Sequence, residues 1–257
     1  MTRIKEKFVE LKQQRKTGLV TYIMAADPDL KTSQEILNLL PQAGADIIEL
    51  GMPFSDPMAD GPVIQNAAIR ALKNKAKLAM VFDMVKEFRK KDNKTPIILM
   101  GYINLLAHLG LEKFVLTAKN SGVDGLIIVD LPPEEDNELL ALCDEYEIDL
   151  IKLATPTSDA KRLEIISKKA RGFIYYVTVT GTTGGASASS LDIEKAVNKI
   201  KTHTDLPIVA GFGIKNHNDV NKLAGKVDAV VVGSALVAEI GQSKTLAEIS
   251  QFVSNLN

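Results

Sequence analysis

The chain predicts a (β/α)8 barrel of the TIM-barrel class, one domain over residues 1–257 with an extra helix at its N-terminus. Three observations predict it. Short β-branched runs alternate with longer stretches of helical spacing along the whole chain. The strand candidates number eight, each followed by a helical pattern, within 257 residues. Several strands, such as Leu126-Ile127-Ile128-Val129 and Val230-Val231-Val232, are apolar without alternation, as expected where helices cover a parallel sheet. An open doubly wound sheet shares that last feature. The first strand, however, leads into Met24-Ala25-Ala26-Asp27-Pro28-Asp29 and not into the Gly-x-Gly-x-x-Gly that such sheets use for dinucleotides.

Thr2 to Lys16 carries Ile4, Phe8 and Leu11 at helical spacing with charges between them, which makes it an amphipathic helix at the barrel base rather than a signal peptide. The strands then run Leu19 to Ala25, Asp46 to Gly51, Ile97 to Tyr102, Gly125 to Asp130, Leu150 to Ala154, Gly172 to Thr178, Pro207 to Gly211 and Ala229 to Gly233. Between and after them, helical spacing covers Leu30 to Ala43, Pro62 to Lys91 with a break near Asn74, Leu111 to Ser121 and Glu134 to Glu147. It continues over Ala160 to Ala170, Leu191 to His203, Asn216 to Ala224 and Lys244 to Asn257. No linker, low-complexity segment or shift in composition divides the chain.

Composition narrows the function classes. Apolar residues make up 46% of the chain, enough for a full core, and a net charge of −1 gives no basic footprint for nucleic acid or a membrane surface. No stretch reaches the roughly 18 unbroken apolar residues of a membrane span, and a cytoplasmic location is expected. The single cysteine, Cys143, lies in Glu138-Leu139-Leu140-Ala141-Leu142-Cys143, where it reads as a small apolar helix residue. His108, His203 and His217 show no metal-ligand spacing, so no metal site is expected.

The most informative stretch is Ile47-Ile48-Glu49-Leu50-Gly51-Met52-Pro53-Phe54-Ser55-Asp56-Pro57-Met58-Ala59-Asp60-Gly61. It sets one carboxylate inside an apolar strand and a second at the end of the following loop. Burying an ionised carboxylate is expensive unless its pKa rises, so Glu49 points to chemistry rather than folding. Barrels of this class keep their active sites at the C-terminal ends of the strands. There the sequence also places Tyr102 and Asn104, Asp130 before Leu131-Pro132, and Tyr175. Asp130 reads as a turn or cap residue.

Three glycine stations close successive strands: Gly181-Thr182-Thr183-Gly184-Gly185, Gly211-Phe212-Gly213 and Gly233-Ser234, the last at the start of a short helical stretch. Glycine admits an anion to backbone N–H groups, and barrels often hold phosphate near strands seven and eight. No lysine or arginine lies within these turns, so phosphate binding would rest on backbone dipoles and hydroxyls. Lys152 is the only lysine within a strand run, and a Schiff-base aldolase built on it stays open because alternation does not reveal which way it points.

The run Glu49 to Pro62 resembles the signature of the tryptophan synthase α subunit. The likeness extends through Gly101-Tyr102-Ile103-Asn104, Val129-Asp130-Leu131-Pro132, Ala154-Thr155-Pro156-Thr157, Tyr175, Gly181-Thr182-Thr183-Gly184, Gly211-Phe212-Gly213-Ile214 and Gly233-Ser234-Ala235. It implies retro-aldol cleavage of indole-3-glycerol phosphate to indole and glyceraldehyde 3-phosphate, with no cofactor in this chain. The indole passes to a pyridoxal-phosphate β subunit in an α2β2 complex. By the same resemblance Glu49 shuttles protons and Asp60 accepts the indole N–H. Tyr175, Phe212, Leu99, Ile127 and Thr183 surround the substrate, and Gly184, Gly211, Gly213, Gly233 and Ser234 hold its phosphate. Where members of the family can carry a phenylalanine against the substrate, this chain has Tyr22. Pro53, Asp56, Pro57, Asn104 and Leu105 form the partner surface, on loops at the barrel mouth. The Gly181 to Ser190 loop, rich in small residues, is expected to be a mobile lid. A free-standing lyase would share every catalytic residue; a non-catalytic phosphate-binding allosteric subunit would have no need of Glu49 and Asp60.

Overall fold

Each strand among the described residues pairs in parallel with the next in sequence, and the eighth pairs with the first, closing a barrel in the order β1 to β8. The computed structural model describes residues 1–177, 190–211 and 213–256. Helix α1 (Arg3–Gln14) precedes β1 (Gly18–Met24), and α2 (Leu30–Ala43) leads to β2 (Ile47–Gly51). Helices α3 (Pro62–Lys73) and α4 (Leu78–Arg89) lead to β3 (Ile97–Gly101), and α5 (Ile103–Leu109) and α6 (Leu111–Ser121) to β4 (Gly125–Ile128). Then come α7 (Asn137–Glu145), β5 (Asp149–Ala154), α8 (Ala160–Lys169) and β6 (Ile174–Val177). The chain ends with α9 (Ser190–Lys201), β7 (Ile208–Gly211), α10 (His217–Leu223), β8 (Ala229–Val232), α11 (Ser234–Gly241) and α12 (Leu246–Ser254).

Alternation along each strand divides the core in two. Side chains such as Ile48, Leu50, Leu99, Leu126 and Val230 turn outward and pack against the helices. Their neighbours Val20, Ile47, Ile98, Ile127, Ile151, Phe173, Val209 and Ala229 turn inward and fill the barrel. Helix α1 completes this inner core. Ile4, Phe8 and Leu11, one helical face, join the same inward cluster, and Phe8 meets Phe173 edge-on with ring centres 5.8 Å apart. Thr2 caps the helix by accepting the Lys5 N–H, and Arg3 pairs with Asp124 at 2.8 Å, so α1 closes the end of the barrel where the strands begin.

That end is fastened by aspartates placed just before strands. Asp46, Asp124 and Asp228 each accept a hydrogen bond from the first or second backbone N–H of the neighbouring strand, at Leu19, Ile97 and Ile208. Each also faces a cation: Lys16 for Asp46, Arg89 for Asp124, Lys201 for Asp228. The N-terminal ends of the strands are therefore locked by charge-assisted bonds, leaving the opposite ends free to carry loops.

The expected break near Asn74 separates α3 from α4, with Lys75 in a left-handed conformation at φ 58°. The stretch expected to be helical from Glu134 begins only at Asn137. Helix α5 stands where a loop is expected, so Asn104 and Leu105 lie on a helix rather than on a loop.

Candidate active site

Glu49 lies on the inward face of β2, level with Tyr22 on β1 and Ile98 on β3. It is fully buried, and both carboxyl oxygens lack a hydrogen-bond partner among the described residues. Burial therefore acts on the charged form without relief and pushes its pKa up to about 8. At neutral pH Glu49 holds a proton it can give away.

Asp60 stands in a different setting. The loop from Met52 to Gly61 folds over the strand ends through Asp60 N–H to Pro57 O and Met58 N–H to Asp56 O, and Gln65 of α3 clamps it by donating to the Asp60 carbonyl at 2.8 Å. Tyr102, directly after β3, donates its hydroxyl to Asp60 Oδ2 at 3.0 Å while accepting the Ala59 N–H at 3.0 Å. Phe54 stacks on the Tyr102 ring at 5.1 Å. Burial raises the Asp60 pKa, and the Tyr102 hydrogen bond opposes the rise. One carboxyl is isolated and protonated; the other is steered and hydrogen-bonded.

Both line one cavity of about 530 Å3. Its wall also includes Tyr22, Met100, Tyr175, Gly211, Gly213, Gly233 and Ser234. Ser234 opens α11, whose N-terminal cap is Gly233, so the first turn of that helix faces the cavity. Gly213 adopts φ 44°, a conformation that other residues rarely reach. Glu49 thus lies inside the barrel with Asp60 on the loop above it, and the glycine and helix end occupies the rim at β7 and β8. An apolar ring with a charged tail fits that division: proton donors at one end, backbone dipoles at the other.

Residues 8–256 match the family model described as Tryptophan synthase alpha chain. The chain belongs to that family. A tryptophan synthase subunit alpha from Legionella pneumophila str. Paris is 36% identical over 100% of this chain and 97% of its own, with a TM-score of 0.92. A structure from Aquifex aeolicus VF5 is 39% identical, covers 100% of this chain and 98% of its own, and has a TM-score of 0.92. An aminoacrylate-bound tryptophan synthase from M. tuberculosis is 28% identical over 100% of this chain and 98% of that one, with a TM-score of 0.90. As a tryptophan synthase alpha chain, the protein is a carbon–carbon lyase that cleaves indole-3-glycerol phosphate. The alpha chain carries no cofactor, and pyridoxal phosphate belongs to the beta subunit.

Within this alpha chain, two sequence-derived substrate contacts need correcting. Leu99 is fully buried against the helices, and Met100 occupies the cavity wall instead. Strand parity is the reason: Leu99 pairs in register with outward Leu50, Met100 with Gly51. Ile127 does face inward, but it is packed with Ile98 and Ile151 and is not part of the cavity wall. Phe212, Thr183 and Gly184 lie outside the described residues, as does the lid expected at Gly181 to Ser190 apart from Ser190 itself.

The lysine alternative also resolves. Lys152 is directed away from the barrel axis into an ion pair with fully buried Asp136, which Lys169 also bonds at 2.7 Å. It does not line the cavity. Asp130 accepts the Ile103 N–H at 2.8 Å at the start of α5, the capping duty its sequence context suggests. Cys143 is fully buried, and its thiol is pushed up to about 12 by burial, so it is inert packing. Among the described residues no cluster of His, Cys, Asp and Glu fits a metal ion.

Four residues of the site carry no local signal of their part in it in the sequence. Tyr102 follows strand three, and its bond to Asp60 joins loops 42 positions apart with no local signal. Met100 was recoverable by counting in twos from Tyr102. Lys215 lies two residues past the Gly213 turn and lines the cavity rim, as does Glu239, which pairs with Lys244 at 3.3 Å.

Proposed function

We propose that Glu49 and Asp60 are the proton-transfer pair of the lyase reaction, with the glycine rim as its phosphate site. The observation that carries this reading is the fully buried Glu49 carboxyl, unpartnered among the described residues and with a pKa near 8, in the same cavity as a hydrogen-bonded Asp60. Cleavage requires a proton on the indole carbon, so that the ring can accept the bonding electrons, and removal of a proton from the side-chain hydroxyl. Glu49 begins protonated and supplies the first; the resulting carboxylate takes the second, and the C–C bond breaks as the aldehyde forms. Asp60, ionised and oriented by Tyr102, accepts the indole N–H and stabilises the positive charge that develops on the ring. Tyr175 and Met100 confine the ring, with Phe212 and Thr183 assigned by resemblance. Gly211, Gly213, Gly233 and Ser234, together with Gly184, bind the phosphate through N–H groups and the Ser234 hydroxyl.

The partner is a beta subunit in an assembly of two chains of each kind, working in the cytoplasm. Pro53, Asp56, Pro57, Asn104 and Leu105 form its docking surface, and Met58, which is 80% exposed in the same loop, supports that placement as an apolar side chain without cover in the single chain. The deciding experiment measures indole release from indole-3-glycerol phosphate by the purified chain, with and without a tryptophan synthase beta subunit. Slow release accelerated by the partner is expected. Release that the partner leaves unchanged would make the chain a free-standing lyase, and no release in either case would overturn the catalytic assignment.

A further inference from the structure

Tyr22 lines the cavity, and its hydroxyl has no task in the mechanism above. Its backbone pairs in register with Glu49, and its side chain turns inward, 6% exposed. The ring reaches across to the next strand. A Cβ built on Gly51 would collide with the Tyr22 hydroxyl and lie 2.7 Å from its Cζ, so the phenol rests where only a glycine leaves room. Gly51 is two residues beyond Glu49 on the same inward face. At its other end the Tyr22 Cβ would be 3.5 Å from a Cβ on Gly233 of the phosphate rim. The side chain therefore spans the space between the phosphate end and the proton-transfer end of the cavity.

The hydroxyl itself makes no hydrogen bond to a described side chain or backbone group, whereas the similar hydroxyl of Tyr102 makes two. Burial above all, with the Asp60 carboxylate and Glu49 once ionised adding to it, holds the phenol well above its ordinary pKa. The phenol keeps its proton and shares the cavity wall with both carboxyls. Polar atoms of tyrosines buried this far are usually bonded.

We propose that the Tyr22 hydroxyl is a further substrate-touching group, donating a hydrogen bond to the side-chain oxygen whose proton Glu49 removes. As the O–H proton moves to the Glu49 carboxylate, negative charge gathers on that oxygen until the C–C bonding electrons pass into the protonated ring and C=O forms. A fixed donor at that point stabilises the charge; Tyr22 keeps its own proton throughout. This inference rests on the assignment of Glu49 and Asp60 as the reacting pair.

The test compares Tyr22→Phe with the parent chain, in complex with a beta subunit. Two readouts are needed: steady-state cleavage of indole-3-glycerol phosphate, and binding of 3-indolylpropyl phosphate, which has the ring and phosphate but lacks the side-chain oxygens. The expected result is a fall in kcat of roughly 10- to 100-fold with little change in KM, and affinity for the deoxy analogue within about two-fold of the parent. A kcat within two-fold of the parent would overturn the proposal. So would an equal loss of affinity for the deoxy analogue, since that loss would make the hydroxyl a packing group. If the parent complex itself released no indole, the assignment of the reacting pair would fail, and this inference with it.

Discussion

Tyr102 and Asp60, carried by loops that leave neighbouring strands, meet at 3.0 Å with the tyrosine as donor, and the same hydroxyl accepts the Ala59 N–H. A single phenol thus fixes the carboxylate and the backbone just before it. This ties the loop after β2 to the end of β3. The proposed acceptor of the indole N–H is therefore positioned by a residue that need not touch the substrate.

Replacing Tyr102 by Phe keeps the ring that stacks on Phe54 and removes only the hydroxyl. A hydrogen bond to a charged group contributes about 1.5–3 kcal/mol, so kcat/KM should fall roughly 10- to 100-fold. The bond favours the ionised form of Asp60. Its loss raises the Asp60 pKa, and the acidic limb of the pH–rate profile should move to higher pH. A profile unchanged in position, with activity intact, would detach Tyr102 from Asp60 function.

Glu49 makes the protein's stability depend on pH in a direction opposite to that of a salt-bridged carboxylate. The folded chain keeps this proton up to about pH 8, whereas the unfolded chain releases it near the ordinary value of 4.5. Between those values the folded state binds more protons, so the Glu49 contribution to stability is whole below pH 4.5, declines as pH rises and levels off above 8. Glu49→Gln should abolish indole formation, keep the fold and flatten this decline. The difference, on the order of a few kcal/mol across the interval, is read from denaturant melts of both chains at pH 5 and pH 8. Parallel pH curves would mean that Glu49 is not held protonated.

Lys152 offers the sharpest contrast with Schiff-base chemistry. Its ammonium is committed to Asp136 on the helix side of β5, and burial lowers its pKa without bringing it to the cavity. Borohydride added during turnover should leave activity intact and trap no adduct. Lys152→Met should lower stability by roughly 1–3 kcal/mol, because Asp136 keeps Lys169 but loses one partner, while indole release persists. Trapped substrate at Lys152 would reopen the aldolase reading.

The barrel was readable because parallel strands buried on both faces appear as unbroken β-branched runs, and eight of them leave few alternatives. Glu49 was readable for the converse reason: a charge among isoleucines has no bland explanation. Helix α5 was missed because Ile103–Leu109 follows β3 with only Tyr102 between them, and an apolar strand running into an apolar helix shows no break in hydropathy. The Leu99 error is one of parity, since a one-residue slip turns a strand side chain to the opposite face. Tyr102's pairing with Asp60 exists only after the barrel has closed around it, and no pattern within either loop encodes it.

Gly211 and Tyr175 repeat on β7 and β6 the arrangement of Gly51 and Tyr22 on β2 and β1. A Cβ on Gly211 would lie 2.6 Å from both the Cε1 and the hydroxyl oxygen of Tyr175, a separation that side chains do not tolerate. Gly211→Ala must therefore swing Tyr175, which is 8% exposed, away from its place on the cavity wall. Overpacking of this kind destabilises by about 1–3 kcal/mol, and KM should rise with it as the wall shifts. Tyr175→Leu frees the space that the new methyl needs, so the double variant should be more stable than the sum of the single changes predicts while remaining a poor enzyme. Melting curves of the four chains measure the coupling. Strict additivity would mean that the alanine is accommodated by the β7 backbone, and that Tyr175 is not held in place by the missing side chain at Gly211.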